Sequence, residues 1–302
     1  MLEFQMLSAG GGSLYCRRYE PDGTPKAVVQ IVHGIAEHIG RYDAFARYLC
    51  GHGFVVTAED HMGHGRSVDE TPLYFSGGWD AAVADVHNLL TQTQSQYPGV
   101  PYFLFGHSMG SFLTRTTLYR YPDQHLKGVI LSGTGWLRQT TLTAGLALCH
   151  AEARKYTEKS VSPLLQDMMF GAYNRSFHPT RTKDDWICTD PKVVDEYAAD
   201  PLCGGECTIG LAQQMLQGIR ENQKPENLKK MLRDVPIFCL SGGEDPVGNR
   251  GKGVQKTAEA FREAGMQDVT VTLYPGYRHE MLNEPCKAQV YDDVRHWMET
   301  RL

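Results

Sequence analysis

The sequence predicts an α/β protein: a mostly parallel central sheet, helices on both of its faces and an inserted helical segment. Three observations carry this. Short apolar runs rich in β-branched residues recur along the chain. The stretches between several of them repeat their apolar positions with a helical period. That alternation fails once, between Thr134 and Arg233. Strands joined through helices return to the end of the sheet they started from, so they align in parallel.

At the start of the chain, Leu2 to Leu7 and Leu14 to Tyr19 flank Gly10-Gly11-Gly12 and suit an antiparallel hairpin at one sheet edge. The remaining strand candidates are Val28 to His33, Phe54 to Glu59, Tyr102 to Gly106, Gly128 to Gly133, Pro236 to Ser241 and Val269 to Tyr274. Most lack polar alternation, as strands covered on both faces do. Helices fit the gaps at Tyr42 to Cys50, Trp79 to Gln96, Met109 to Tyr121, Val254 to Ala264 and Pro285 to Thr300, with Pro98 and Pro122 stopping two of them. Residues 134–233 read as helical pieces broken by Pro163, Pro179, Pro191 and Pro201. Leu137, Leu142, Leu146, Leu164, Leu165, Met168, Met169 and Phe170 make this stretch apolar enough to pack. It is expected to form a cap (lid) on the carboxyl edge of a sheet built from residues 1–133 and 234–302.

Composition narrows the function. With 302 residues, 41% hydrophobic and 22% charged, the chain is neither disordered nor collagen-like. A net charge of −5 without a Lys/Arg-dense stretch argues against nucleic acid as a partner. No apolar run approaches the roughly 20 residues that span a bilayer, so no stable membrane insertion is expected. The opening Met1-Leu2-Glu3-Phe4-Gln5 lacks the basic and apolar regions of a secretion signal, which points to a cytoplasmic address. Eight scattered cysteines read as reduced thiols rather than a disulfide framework. Cys203 and Cys207 have a spacing that some zinc sites use, but no second Cys/His pair flanks them at finger-like distance. No metal and no cofactor is expected.

Gly106-His107-Ser108-Met109-Gly110 lies between a predicted strand and a predicted helix. That setting gives a G-x-S-x-G string its meaning: a sharp turn lifts the serine out, and small flanking residues avoid collisions around it. A serine hydroxyl is a poor nucleophile near neutral pH, so it needs a histidine base and a carboxylate to orient that base. Asp245, in Gly242-Gly243-Glu244-Asp245-Pro246, and His279, in Gly276-Tyr277-Arg278-His279-Glu280, both follow predicted strands in the required order. Glu244 is the alternative acid. His296 is the alternative histidine, though it falls within the last helical segment. The oxyanion of a tetrahedral intermediate needs two backbone N–H donors. Met109, after the nucleophile, offers one, and Ile35, in the loop after the Val28 to His33 strand, offers the other, with Gly34 permitting close approach. Further candidate substrate contacts are Gly34, His107, Met168, Phe170 and Met281.

Together these motifs resemble the α/β-hydrolase superfamily, and within it the monoacylglycerol lipase and lysophospholipase group, also called serine aminopeptidase-like hydrolases. The resemblance further rests on His33-Gly34-x-x-Glu37-His38 with Arg41-Tyr42, and on Asp60-His61-x-Gly63-His64-Gly65-x-Ser67. It implies the α/β-hydrolase fold, a Ser108, Asp245, His279 triad, an oxyanion hole from Ile35 and Met109, and a helical cap over an acyl pocket. One departure stands out: Ser111 occupies a position where monoacylglycerol lipases usually have a second elbow glycine. The Asp60 to Ser67 loop reads as a glycine-shaped turn rather than a metal cluster.

The expected reaction is hydrolysis of a carboxylic ester with an apolar acyl group, of monoacylglycerol or lysophospholipid type, through an acyl-enzyme on Ser108. The expected partner is thus a small, lipid-like ester. An amidase or peptidase with the same triad is the nearest alternative, and a non-catalytic binding protein on the same scaffold would be expected to lack one of the three residues. A haloalkane dehalogenase requires Asp where this chain has Ser108. Oligomeric state is not legible.

Overall fold

The computed structural model describes residues 1–68 and 71–302. Its strands are β1 (Leu2–Leu7), β2 (Ser13–Tyr19), β3 (Ala27–Val32), β4 (Phe54–Glu59), β5 (Tyr102–His107), β6 (Gly128–Ser132), β7 (Ile237–Gly242) and β8 (Val269–Tyr274). They form one eight-stranded sheet in the order β1-β2-β4-β3-β5-β6-β7-β8. β1 and β2 make the antiparallel hairpin, β2 joins β4 antiparallel, and every other pair is parallel. Every residue of β3 to β7 is buried, as strands covered on both faces must be, whereas β1 and β8, at the edges, are partly open.

The helices α1 (Asp43–Gly51), α2 (Gly78–Gln96) and α3 (Met109–Arg120) fall where the periodicity predicts, within a residue or two at each end. Between β6 and β7 lie α4 (Gln139–Lys155), α5 (Pro163–Gln166), α6 (Pro191–Ala199), α7 (Ile209–Asn222) and α8 (Pro225–Leu228). Pro163 and Pro191 sit in the first turn of their helices, where a missing N–H costs nothing. The chain ends with α9 (Lys252–Glu263) and α10 (Lys287–Glu299). One apolar cluster covers β3, β4, β5 and β7 with α1 and α10; a second unites α2 and α3 with α4 and α7.

The inserted segment therefore does more than rest on the rim. Gly218 of α7 faces the Trp79 indole so closely that an added Cβ would sit 2.3 Å from Cε2. Asn222 donates to the Phe112 carbonyl at 2.9 Å and accepts from Thr116 Oγ1 at 2.9 Å. These contacts lock α7 onto α3, in which every residue but Arg120 is buried.

Candidate active site

β5 ends at His107 and α3 begins at Met109, which leaves Ser108 as a one-residue turn with φ 51° and ψ −119°. A non-glycine residue there is strained by about 1–3 kcal/mol, so its surroundings must hold it. They do so through backbone bonds: Ser108 N–H donates to the Ser132 carbonyl at 2.9 Å, and Ser111 N–H donates to the Ser108 carbonyl at 2.9 Å. The Ser111 hydroxyl adds a second donor to that carbonyl at 2.6 Å. The residue that departs from the usual glycine thus braces the turn. A Cβ at Gly106 would lie 2.4 Å from Thr114 Oγ1, and one at Gly110 2.0 Å from the Val32 carbonyl oxygen, which is why both flanks must be glycine.

Asp245, just past β7, is fully buried. Its Oδ2 accepts from Ser241 Oγ at 2.8 Å and lies 3.0 Å from His279 Nδ1, and its Oδ1 accepts from Val247 N–H at 2.9 Å. Burial pushes this carboxyl's pKa up, but the His279 charge and the three donors outweigh it and hold it below the usual range. For His279 burial pushes downward, while the Asp245 charge and hydrogen bond, aided by Glu280 and Glu37, leave it raised. With Nδ1 engaged, Nε2 is the free proton acceptor. Gly133, at φ 59°, makes room for the ring, since a Cβ there would lie 2.7 Å from His279 Cε1. The Trp186 ring packs 5.1 Å from the imidazole on one side and His107 4.7 Å away on another. Burial drives His107 down to about 3, so it stays neutral and does not compete as a base. Ser108 and His279 line one cavity; among the described residues no hydrogen bond joins the hydroxyl to the ring, and in ligand-free enzymes such a contact is often long. The two alternatives lie elsewhere: Glu244 pairs with Arg250 at 3.4 Å on the surface, and His296 is exposed on α10.

The loop after β3 lies against Ser108. A Cβ on Gly34 would fall 3.1 Å from Ser108 Cβ. Gly34 N–H donates to Glu37 Oε1 at 2.5 Å, and Tyr42 OH donates to the same oxygen at 2.7 Å. Glu37 Oε2 lies 3.2 Å from Arg41 Nη1, whose guanidinium also forks onto Glu280, next to His279. One buried arginine thus ties the Gly34 loop to the histidine loop. From the inserted segment, Gly204 N–H and Tyr197 OH both donate to the Ala36 carbonyl at 2.9 Å. Among the described residues neither Ile35 N–H nor Met109 N–H donates to a protein acceptor. For Met109 the reason is positional, because no helical carbonyl precedes the first residue of α3.

The cavity in front of Ser108 has a volume of about 310 Å³. Of the candidate substrate contacts, Gly34, His107 and Phe170 line it, as does Ile35. Met168 and Met281 do not, which corrects both expectations. Met168 is solvent-exposed with its methyl near Gly145 of α4, and Met281 is fully buried in the cluster beneath α10. Sequence reading missed Trp186, Ile187 and Tyr197, which line the cavity from the inserted segment. Nothing in their spacing singles them out, since a single helical turn carries Trp186 and Ile187 and the short α6 carries Tyr197.

Cys207 belongs to the apolar cluster of α4 and α7, and Cys203 instead lies with His38 and Asp200, their polar atoms within 4.8 Å of one another. His38 Nδ1 accepts from Gly40 N–H at 3.2 Å, so Nε2 carries the proton and donates to Asp200 at 2.9 Å. That pair is satisfied without an ion. In the Asp60 to Ser67 loop, Asp60 accepts from Ile39 N–H and Arg66 N–H, each at 2.8 Å, and Gly65 fits only because a Cβ would collide with Asp60 Oδ2. All eight cysteines are free.

Residues 23–286 match the serine aminopeptidase, S33, family (Hydrolase_4). The chain belongs to this family. Human monoglyceride lipase is 30% identical over 98% of this chain and 90% of its own length, and the monoacylglycerol lipase of Mycolicibacterium smegmatis is 28% identical over 99% and 98%. Among solved structures, a carboxyl esterase from Bacillus coagulans in complex with glycerol superposes with a TM-score of 0.90 at 28% identity, over 99% of this chain and 98% of that one. A lipase in an open form gives 0.88 at 30% identity with the same coverage. This S33-family chain has the α/β-hydrolase fold and is a carboxylic ester hydrolase. No helix of the described residues is long and apolar enough to cross a membrane.

Proposed function

We propose that the protein hydrolyses small carboxylic esters of apolar acyl groups, of monoacylglycerol or lysophospholipid type, through an acyl-enzyme on Ser108. The observation that carries this is the meeting, at one cavity, of the strained Ser108 turn, the Asp245-oriented His279 and Ile35 with its uncommitted N–H, the other uncommitted N–H being that of Met109 next to Ser108. In this mechanism His279 Nε2 takes the hydroxyl proton as Ser108 Oγ attacks the ester carbonyl. Ile35 and Met109 N–H stabilise the oxyanion, and the imidazolium returns its proton to the leaving alcohol. Water, deprotonated by the same ring, then releases the acid.

Ile35, Phe170, Trp186 and Ile187 give the cavity apolar walls suited to an acyl chain, while Gln166, Asn174 and Glu206 offer polar contacts to an alcohol such as glycerol. Residues 134–233 act as the cap, with Tyr197 and Gly204 clasping the Ala36 carbonyl. Eight free thiols suit a reducing, cytoplasmic setting.

Purified Ser108→Ala should lose about 10⁴- to 10⁶-fold in ester turnover and all labelling by a fluorophosphonate. Undiminished turnover would place the nucleophile elsewhere. A panel of glycerol and choline-phosphoglycerol esters from acetyl to long acyl, with matched amides, tests the substrate. A steep preference for acetyl over decanoyl chains would overturn the lipid reading, and faster amide than ester turnover would favour a peptidase.

A further inference from the structure

Behind the Gly34 loop lies a buried polar cluster that the mechanism above does not use. His33 Nε2 accepts from His61 N–H at 2.9 Å, so the proton of this ring is on Nδ1, which donates to the Gly34 carbonyl at 2.7 Å. In a trans peptide the carbonyl and the following N–H point in opposite directions. Holding the Gly34 carbonyl back on His33 therefore turns Ile35 N–H forward, toward the cavity. His61 supports His33 in the same way. Its ring lies 4.0 Å from that of His33, and its Nε2, 3.2 Å from the His33 carbonyl oxygen, must carry a proton to bond there.

This bookkeeping of protons leaves His61 Nδ1 with a bare lone pair. Among the described residues its polar neighbour is Glu59 Oε1 at 3.4 Å, and both atoms, like Glu59 Oε2, are otherwise unpartnered and sealed from solvent. Two facing acceptors repel, so a proton must lie between them. We propose that Glu59 is a positioning residue, kept as a neutral carboxylic acid, whose hydroxyl supports His61 and through His33 aims Ile35 N–H at the oxyanion. This rests on the reading of Ile35 as an oxyanion donor.

The surroundings agree. The groups facing Glu59 are Asp60 on its own chain, Cys16 across the β2–β4 register, Asp85 of α2, Tyr102 of β5, and the rings of His61 and beyond it His33 and His64. Among the described residues no lysine or arginine is one of them. Burial, reinforced by the Asp60 charge, pushes Glu59 up to about 8, and burial pushes His61 down to about 4, so the proton resides on the carboxyl. Raising pH through that range removes it and leaves an anion against a lone pair.

The test compares wild type, Glu59→Gln and Glu59→Leu on a short-chain p-nitrophenyl ester from about pH 6 to about pH 10. Glutamine still donates an N–H but cannot titrate. The wild type should lose kcat on the alkaline side with KM steady. Glu59→Gln should lack that limb, and Glu59→Leu should show kcat reduced about 10- to 100-fold at every pH, as expected for a misaimed rather than a deleted donor. An alkaline limb that persists in Glu59→Gln, or full kcat in Glu59→Leu, overturns the proposal. Infrared difference spectra add a readout independent of catalysis: a protonated-carboxyl band at neutral pH that is missing from Glu59→Gln and fades with the kcat limb. No such band also overturns it. Failure of the underlying reading looks different: a folded Ile35→Pro with undiminished kcat would remove the oxyanion role while the carboxyl band persisted.

Discussion

Replacing Gly34 with alanine adds one methyl group and no charge, at a place where the structure leaves no room for it. The new Cβ would sit 2.6 Å from Glu37 Oε1, 3.1 Å from Ser108 Cβ and 3.4 Å from His107 Cδ2, against the 3.4 Å at which ordinary contact begins. Glu37 cannot simply retreat, because Tyr42 OH and Arg41 hold its two oxygens. The loop must yield instead, and the 2.5 Å bond from Gly34 N–H to Glu37 is the first to go. Ile35 N–H is carried on the next peptide. A displacement near 1 Å of a catalytic group costs about 10²-fold, and loss of one oxyanion donor about 10²- to 10³-fold, or about 2.7–4 kcal/mol. Gly34→Ala should therefore lower kcat by about 10²- to 10³-fold with KM changed less than about threefold, because the interaction lost exists only in the transition state. Steady-state kinetics on a p-nitrophenyl ester, with circular dichroism to confirm folding, decide the matter. A kcat within about tenfold of wild type, or a raised KM with kcat retained, would refute the reasoning and make Gly34 a ground-state contact instead.

Other consequences follow from named contacts. His279 must be neutral to accept a proton, and its pKa is raised, so kcat/KM should climb with pH through a midpoint above the ordinary imidazole value of about 6.5. Asp245→Asn should move that midpoint down and lower kcat by about 10⁴-fold, as read from the pH–rate profile. Arg41→Met strands Glu37 and Glu280 as buried, unpaired carboxylates and should cost about 3–5 kcal/mol, measured by urea unfolding. Gly218→Leu drives a side chain into the Trp79 indole and should destabilise by about 1–3 kcal/mol, seen as a lower melting temperature.

The strands were legible because burial on both faces writes itself as unbroken β-branched runs, and Ser108, Asp245 and His279 stood out as candidates because each follows a strand. What escaped was governed by surfaces the sequence does not name. Thr114, Arg115, Thr116 and Thr117 are polar, yet all are buried, and Thr116 and Thr117 donate back to the Phe112 and Leu113 carbonyls at 3.0 and 2.9 Å. Their cover comes from distant chain: Asn222 of α7 takes Thr116, and Arg115 donates to the Gly135 carbonyl at 3.0 Å. Met281 lies two residues from His279 and points the opposite way, into the core under α10, because the chain turns there. Trp186 reaches the cavity from a single helical turn and Tyr197 from the nine-residue α6, elements too short for a period to tell which side chain faces inward.

The Gly34 loop shows why the two motifs around it belong to the site although neither supplies a reacting atom. Three carbonyls from His33 to Ala36 have partners drawn from three parts of the fold: that of His33 faces His61 Nε2, that of Gly34 faces His33 Nδ1, and that of Ala36 accepts from Gly204 and Tyr197. Glu37 takes Gly34 N–H. A peptide whose carbonyl is held cannot flip without breaking that bond, so the Gly34–Ile35 unit has one orientation left to it, with Ile35 N–H outward and unclaimed. Preorganisation of this kind is what makes a backbone donor effective, because no reorientation has to occur as charge develops on the substrate oxygen. It also divides the labour between the motifs. Glu37 and Arg41 set where the loop sits relative to Ser108 and His279, whereas the Glu59 to His64 stretch sets which way its peptide faces. Variants of the first group should therefore disturb stability and turnover together, and variants of the second should disturb turnover first.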